Sequence, residues 1–239
     1  MGESETSCIT ININMLICEV TKPYAHTKVL SALQGMEPEI VGQRLDKYKL
    51  TSIIQDTLEP FRVEVEFQNT TRVPKDEINM NAGYSQDVDK WKDPDVYATN
   101  LDLLFNSRQR TYSFSKEGYD ELVNRINDAI GHERIHQGQA RKRKLRHPGS
   151  EYTGPGKGKA ERDYLGKPDE VEAFSYNIAS ELLRRHDKET IINAFRTGDL
   201  SILKDSINFV AYLSSFEDTD NKTMRKLINK ILKYTEQLS

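Results

Sequence analysis

Cysteine is scarce: Cys8 and Cys18 are the only two in 239 residues, too few for a disulfide framework to stand in for a hydrophobic core. No apolar run approaches the ~18 residues a bilayer core demands, and mean hydropathy is −0.69, so the sequence predicts a chain without a membrane span. Neither sign of charge dominates. The 34 Lys+Arg against 37 Asp+Glu leave a formal charge of −3, which argues against a protein whose main task is coating nucleic acid. No basic stretch followed by an apolar one opens the chain, and the expected compartment is the reducing cytoplasm. Internal repeats are absent too. Met1-Gly2-Glu3-Ser4-Glu5-Thr6 fits a loose myristoylation template, yet no polybasic cluster stands beside it to give a second anchor. The sequons at Asn69 and Asn221 carry no weight without an export signal.

What is present is enough for a core: 36% of residues are hydrophobic and 30% charged, over a length that suits one or two domains. Residues 1–60 read as a mainly helical N-terminal region. It holds an apolar stretch Ile9–Cys18 of undecided type, a helix around Tyr24–Leu33, and Leu45, Tyr48, Ile53, Ile54 and Leu58 at helical spacing. Pro60 ends that run. From Phe61 the period becomes two, with Phe61, Val63, Val65 and Phe67 on one face, the pattern of a half-buried strand. Further strands are expected at Ile78–Tyr84, Ala98–Phe105 and Arg110–Phe114.

Ser115 reads as the N-cap of a long helix that runs to about residue 140, with Tyr119, Leu122, Val123, Ile126 and Ile130 on its apolar face. A loop rich in Gly, Pro and charge follows, from Arg141 to Lys159. Helical period returns at Pro168–Leu183, then at Lys188–Arg196, Leu200–Phe216 and Met224–Leu238. The expected class is α+β: a small antiparallel or mixed sheet packed on the long helix, with a mainly helical C-terminal half. The expected divisions are 1–60, a metal-binding core at 61–186, and C-terminal helices at 187–239 packed on that core.

The long helix carries Gly131-His132-Glu133-Arg134-Ile135-His136, an H-E-x-x-H. Residues four apart lie one above the other on a helix face, so His132 and His136 can grip one metal ion. Glu133 is turned by about 100° from His132, where a general base can meet water without ligating. Zinc would lower the pKa of that water to about 7. The plainer alternative makes both histidines solvated helix residues and Glu133 an ordinary ion-pair partner of Arg134 or Lys142. A catalytic zinc needs a third protein ligand. Pro168-Asp169-Glu170-Val171-Glu172-Ala173, opening the next long helix, offers Glu170 or Glu172.

H-E-x-x-H followed by a helical P-x-E-x-x-A resembles the gluzincin class of zinc metallopeptidases, in particular the compact members related to anthrax lethal factor and to small peptidase-like proteins of bacteriophages. The resemblance covers roughly residues 97 to 183. It implies a zincin-like core with His132, His136 and Glu170 as Zn2+ ligands, Glu133 as base, and a tyrosine holding the oxyanion, for which Tyr164 is the first candidate and Tyr152 and Tyr176 compete. Glu172 is the alternative third ligand. Arg134 and the Gln137-Gly138-Gln139 tail are more polar than the class leads one to expect.

The function so implied is a zinc-dependent metallopeptidase that hydrolyses peptide bonds in a peptide or protein substrate, through a zinc-activated water with Glu133 as general base. The alternative is a catalytically silent structural or assembly protein, such as a phage virion component, that keeps a gluzincin-like zinc site and has virion assembly partners. In either phage-encoded case the location is the host cytoplasm or the virion. The basic run Arg141–Arg146 reads first as a solvated loop, then as a patch for an acidic partner; nucleic acid is disfavoured by the net charge.

Overall fold

A computed structural model describes residues 26–85, 99–143, 158–216 and 221–239. The Ile9–Cys18 stretch, both cysteines, residues 1–6, Tyr152 and the loop from Lys144 to Lys157 lie outside the described residues. Two compact units are present, one within 22–147 and one within 148–239.

In the first unit the order is α1 (His26–Gly35), α2 (Glu37–Ile40), β1 (Arg44–Asp46), α3 (Lys47–Leu58), β2 (Val63–Thr70), β3 (Ile78–Tyr84), β4 (Thr99–Asn106), β5 (Thr111–Ser113) and α4 (Lys116–Lys142). Asp46 begins α3 by accepting a hydrogen bond from the Lys49 backbone N–H at 2.8 Å, which satisfies one of the helix's orphan donors. At the other end Glu59–Phe61 tightens into a 3-10 turn around Pro60. Arg62 then adopts a left-handed conformation, φ 59°, and reverses the chain. The strand therefore starts at Val63 rather than at Phe61, which belongs to the turn.

The main sheet is mixed, in the order β2-β4-β3. Strand β2 runs parallel to β4 with Val63 opposite Thr99, and β3 runs antiparallel to β4 with Ile78 opposite Phe105. Central β4 buries Leu101, Leu103 and Phe105 completely. A second, two-stranded sheet pairs β1 with β5 in antiparallel register, Leu45 opposite Tyr112. Strand β1 was hidden in what reads as a helical run, because three residues are too few to display a period of two.

Helix α4 starts where its cap predicts, with Ser115 Oγ accepting from Gly118 N–H at 3.2 Å. Its apolar stripe of Tyr119, Leu122, Val123, Ile126 and Ile130 is buried against α1 and the β3–β4 side of the sheet. Basic Arg141 and Lys142 close the last turn, where positive charge is favourable to the helix dipole. Lys47 donates to Asn69 Oδ1 and to the Asn106 carbonyl, the latter at 2.8 Å. It ties the start of α3 to the ends of β2 and β4.

Among the described residues the second unit is all helical: α5 (Lys159–Leu165), α6 (Pro168–Leu183), α7 (Lys188–Thr197), α8 (Leu200–Leu203), α9 (Ile207–Phe216) and α10 (Lys222–Leu238). Pro168 stands in the first turn of α6, where its missing N–H costs nothing. The expected single helix over 200–216 is broken at Ser206. The Ser206 hydroxyl accepts from Phe209 N–H at 3.0 Å, and Glu181 accepts from Ser206 and from the Asn208 amide, so a fresh cap restarts the helix. Residues 159–165, whose beginning falls in the expected loop, form a helix as well. Helices α6 and α10 pack along most of their lengths around Ile178, Leu182, Leu227, Ile231 and Tyr234.

The class is thus α+β, with a small mixed sheet against the H-E-x-x-H helix and a helical C-terminal part. Among the described residues no helix is long and apolar enough to cross a membrane.

Buried Tyr119 joins α4 to α1 by donating from its hydroxyl to the Leu33 carbonyl at 2.5 Å, and burial pushes its pKa up to about 12. The unfolded phenol ionises near pH ~10, so stability falls as pH rises from there towards ~12. Urea titrations should show Tyr119→Phe less stable by about 1 kcal/mol at pH 7, with a shallower loss on the alkaline side.

Candidate metal centre

A helix advances about 5.4 Å per turn, so His132 and His136 sit one above the other on α4. Their relative exposures are 8% each and that of Glu133 is 9%, which removes the reading of the motif as a solvated helix face. The two rings lie edge to face with centroids 4.7 Å apart. Their Nε2 atoms face each other at 3.0 Å. Two neutral imidazoles meet in this way only if one donates a proton to the other, or if both turn lone pairs to a shared cation. Tetrahedral zinc with Zn–N bonds of about 2.0–2.1 Å places two such nitrogens roughly 3.3 Å apart, so a shift of a few tenths of an ångström suffices. The donor chemistry fits zinc.

The remaining ring nitrogen of His136, Nδ1, lies 2.9 Å from the Gln139 amide oxygen. Its ring face stacks on Tyr84, the last residue of β3, with centroids 6.0 Å apart and planes at 28°. The polar residues around the motif tie α4 to the rest of its unit. Arg134 donates to the Phe61 carbonyl in the turn before β2 and to Gln137 Oε1 at 3.4 Å. Gln137 donates to Thr99 Oγ1 at 3.3 Å, at the start of β4.

In the helical unit, Glu170 lies in the first turn of α6 and is partly buried. Glu172 Oε2 stands 3.4 Å from Lys230 Nζ, both side chains largely enclosed. It also borders Tyr234, whose pKa is raised far above the usual phenol range by burial first and by the Glu172 charge second. Glu172 thus serves the α6–α10 contact within its own unit.

Tyr164 on α5 sets its ring edge against Phe174 with centroids 6.5 Å apart, and Lys167 Nζ lies over that ring at 5.7 Å. Tyr176 is fully buried, its ring against Tyr234 at 5.8 Å, as expected of a core residue. Tyr212 donates to the Leu165 carbonyl at 2.9 Å. Burial raises its pKa, and the charges of Glu170 and Tyr164 raise it further. Those three side chains therefore share one neighbourhood of the helical unit.

Tyr84 and Tyr212 are not singled out by the sequence pattern, and Gln139 stands there only as part of an unusually polar tail. Gln139 carried a signal, since a polar residue three after His136 lies on the same helix face. Tyr84 and Tyr212 owe their positions to chain folding over long separations, which spacing does not report. No protein-family model, curated protein or solved structure matches the chain.

Glu172→Ala strands the Lys230 ammonium in a largely enclosed place, and thermal unfolding of the metal-free protein should register a loss of about 1–3 kcal/mol. Unchanged melting would show that the ion pair does not hold α6 to α10.

Proposed function

We propose that this chain is a zinc-dependent metallopeptidase with a zincin-like core, in which His132, His136 and Glu170 each offer one ligand atom. The observation that carries the reading is the buried pair of imidazole nitrogens 3.0 Å apart on α4. A divalent cation suits two imidazole lone pairs aimed at one point. Glu170 is the preferred carboxylate because Glu172 is engaged with Lys230.

Zinc, when bound, supplies Lewis acidity that polarises a carbonyl and brings the pKa of water down to about 7. The chain's own residues do the rest. Glu133, next to His132 on α4, accepts a proton from water at a carboxylate oxygen as the water oxygen bonds to the peptide carbonyl carbon. As the C–N bond breaks, the same carboxyl returns that proton to the leaving amine. The Tyr164 phenol donates a hydrogen bond to the carbonyl oxygen as its charge grows. The substrate is a peptide or protein segment.

Metal analysis and a peptide-library digest test this reading together. The wild type is expected to hold one zinc per chain, and at about 100 times Kd zinc should add about 2.7 kcal/mol of stability, a rise in Tm of roughly 5–10 °C. His132→Ala and Glu170→Ala should lose the zinc. Glu133→Gln should retain it and cleave about 10²–10⁴-fold more slowly. Full proteolysis after complete chelation would overturn the mechanism, whereas zinc-dependent stability with no peptide cut would identify the silent assembly protein instead.

A further inference from the structure

His136 is held on two sides by groups that an H-E-x-x-H pattern does not specify. Gln139 Oε1 lies 2.9 Å from Nδ1, Tyr84 covers a ring face at 6.0 Å, and Nε2 faces His132. A neutral imidazole carries its single proton on one nitrogen or the other, and in water Nε2 is the preferred place. An amide oxygen can only accept a hydrogen bond. With that oxygen against Nδ1, the proton sits on Nδ1 and the lone pair is left on Nε2, the reverse of the preference in water. Gln139 is 5% exposed, so bulk solvent offers little substitute for its amide. Tyr84 limits how the ring tilts but, lying on its face, has no means of choosing which nitrogen is protonated.

We infer that Gln139 is a positioning residue for the metal centre: its amide oxygen holds His136 in the Nδ1–H tautomer and so keeps Nε2 available as a ligand atom. Its place three residues beyond His136 puts both side chains on one face of α4, and the device is complete within a single helix turn. Other metal sites take the same support from a carboxylate or backbone carbonyl, and its loss there typically costs 10–100-fold in affinity. The purpose of the device rests on the metal-site reading, but its existence is testable without metal.

The test uses the whole chain with ¹⁵N-labelled histidine, metal-free, at about pH 8.5, roughly two units above the ordinary histidine pKa. Long-range ¹H–¹⁵N spectra then report which imidazole nitrogen bears the proton. Wild type should show His136 protonated at Nδ1, Gln139→Ala should move the proton to Nε2, and Gln139→Glu, which keeps an acceptor, should restore Nδ1. Zinc titration of the same proteins should show affinity 10–100-fold weaker in Gln139→Ala and near wild type in Gln139→Glu. Because Gln139→Glu restores the acceptor, it separates tautomer control from any general loss of packing in Gln139→Ala. An Nε2–H tautomer in the wild type, or a tautomer and zinc affinity indifferent to Gln139→Ala, overturns the inference. A wild type that binds no zinc but shows the Gln139-dependent tautomer shift overturns the proposed function and upholds the role of Gln139 in orienting His136.

Discussion

Two imidazole nitrogens facing each other at 3.0 Å inside a protein impose a requirement on everything around them. Each ring brings a lone pair or an N–H that must be answered, and a pair pressed together limits the answers to a shared proton or a shared cation. The helix pitch creates the pair, since residues four apart stack. Keeping it buried falls to the fold. Helix α4 turns Tyr119, Leu122, Val123, Ile126 and Ile130 to the core and uses the same rigid rod to deliver His132, Glu133 and His136 further along. One element thus carries both the packing of the first unit and the buried histidine pair.

The polar residues flanking the motif gain meaning from that arrangement. Read against the gluzincin class, Arg134, Gln137 and Gln139 look like departures. In the structure Arg134 reaches the Phe61 carbonyl, Gln137 reaches Thr99, and Gln139 meets His136 Nδ1. The first two fasten the motif-bearing turns of α4 to the entry of β2 and the entry of β4, two neighbouring parallel strands that start level. Side chains able to hydrogen-bond are needed there because a helix end loaded with polar groups has no apolar stripe to hold it down. The apolar stripe ends near Ile135, and polar ties take over.

How legible this was in the amino-acid order depended on the range of the interaction responsible. Strand β3 and helices α4 and α6 could be read closely, because alternation, an N-cap serine and an N-terminal proline are local signals. Strand β1 could not: its extended form comes from pairing Leu45 with Tyr112, far along the chain. The same holds for the start of β2, where the left-handed Arg62 displaces Phe61 from the strand, and for the break at Ser206, where Glu181 from another helix supplies the cap partner. In the candidate centre, His132, Glu133 and His136 were legible from spacing alone. The different surroundings of Glu170 and Glu172 were not, since both sit near the start of one helix and Lys230, some sixty residues on, pairs with Glu172.

That last distinction shows why motif register and local environment have to be combined. Two carboxylates two residues apart on a helix point about 200° apart, so they meet different neighbours within their helical unit. Glu172 shares its side with Ser175 and Ala179, both buried, and finds Lys230 and Tyr234 there. It has exchanged water for an internal ion pair, a role in which moving toward a metal would leave an ammonium stranded. The charge of Glu170 acts instead on Tyr212, whose hydroxyl donates to the Leu165 carbonyl. The same helix geometry that commits Glu172 to holding α6 against α10 gives Glu170 a different set of neighbours.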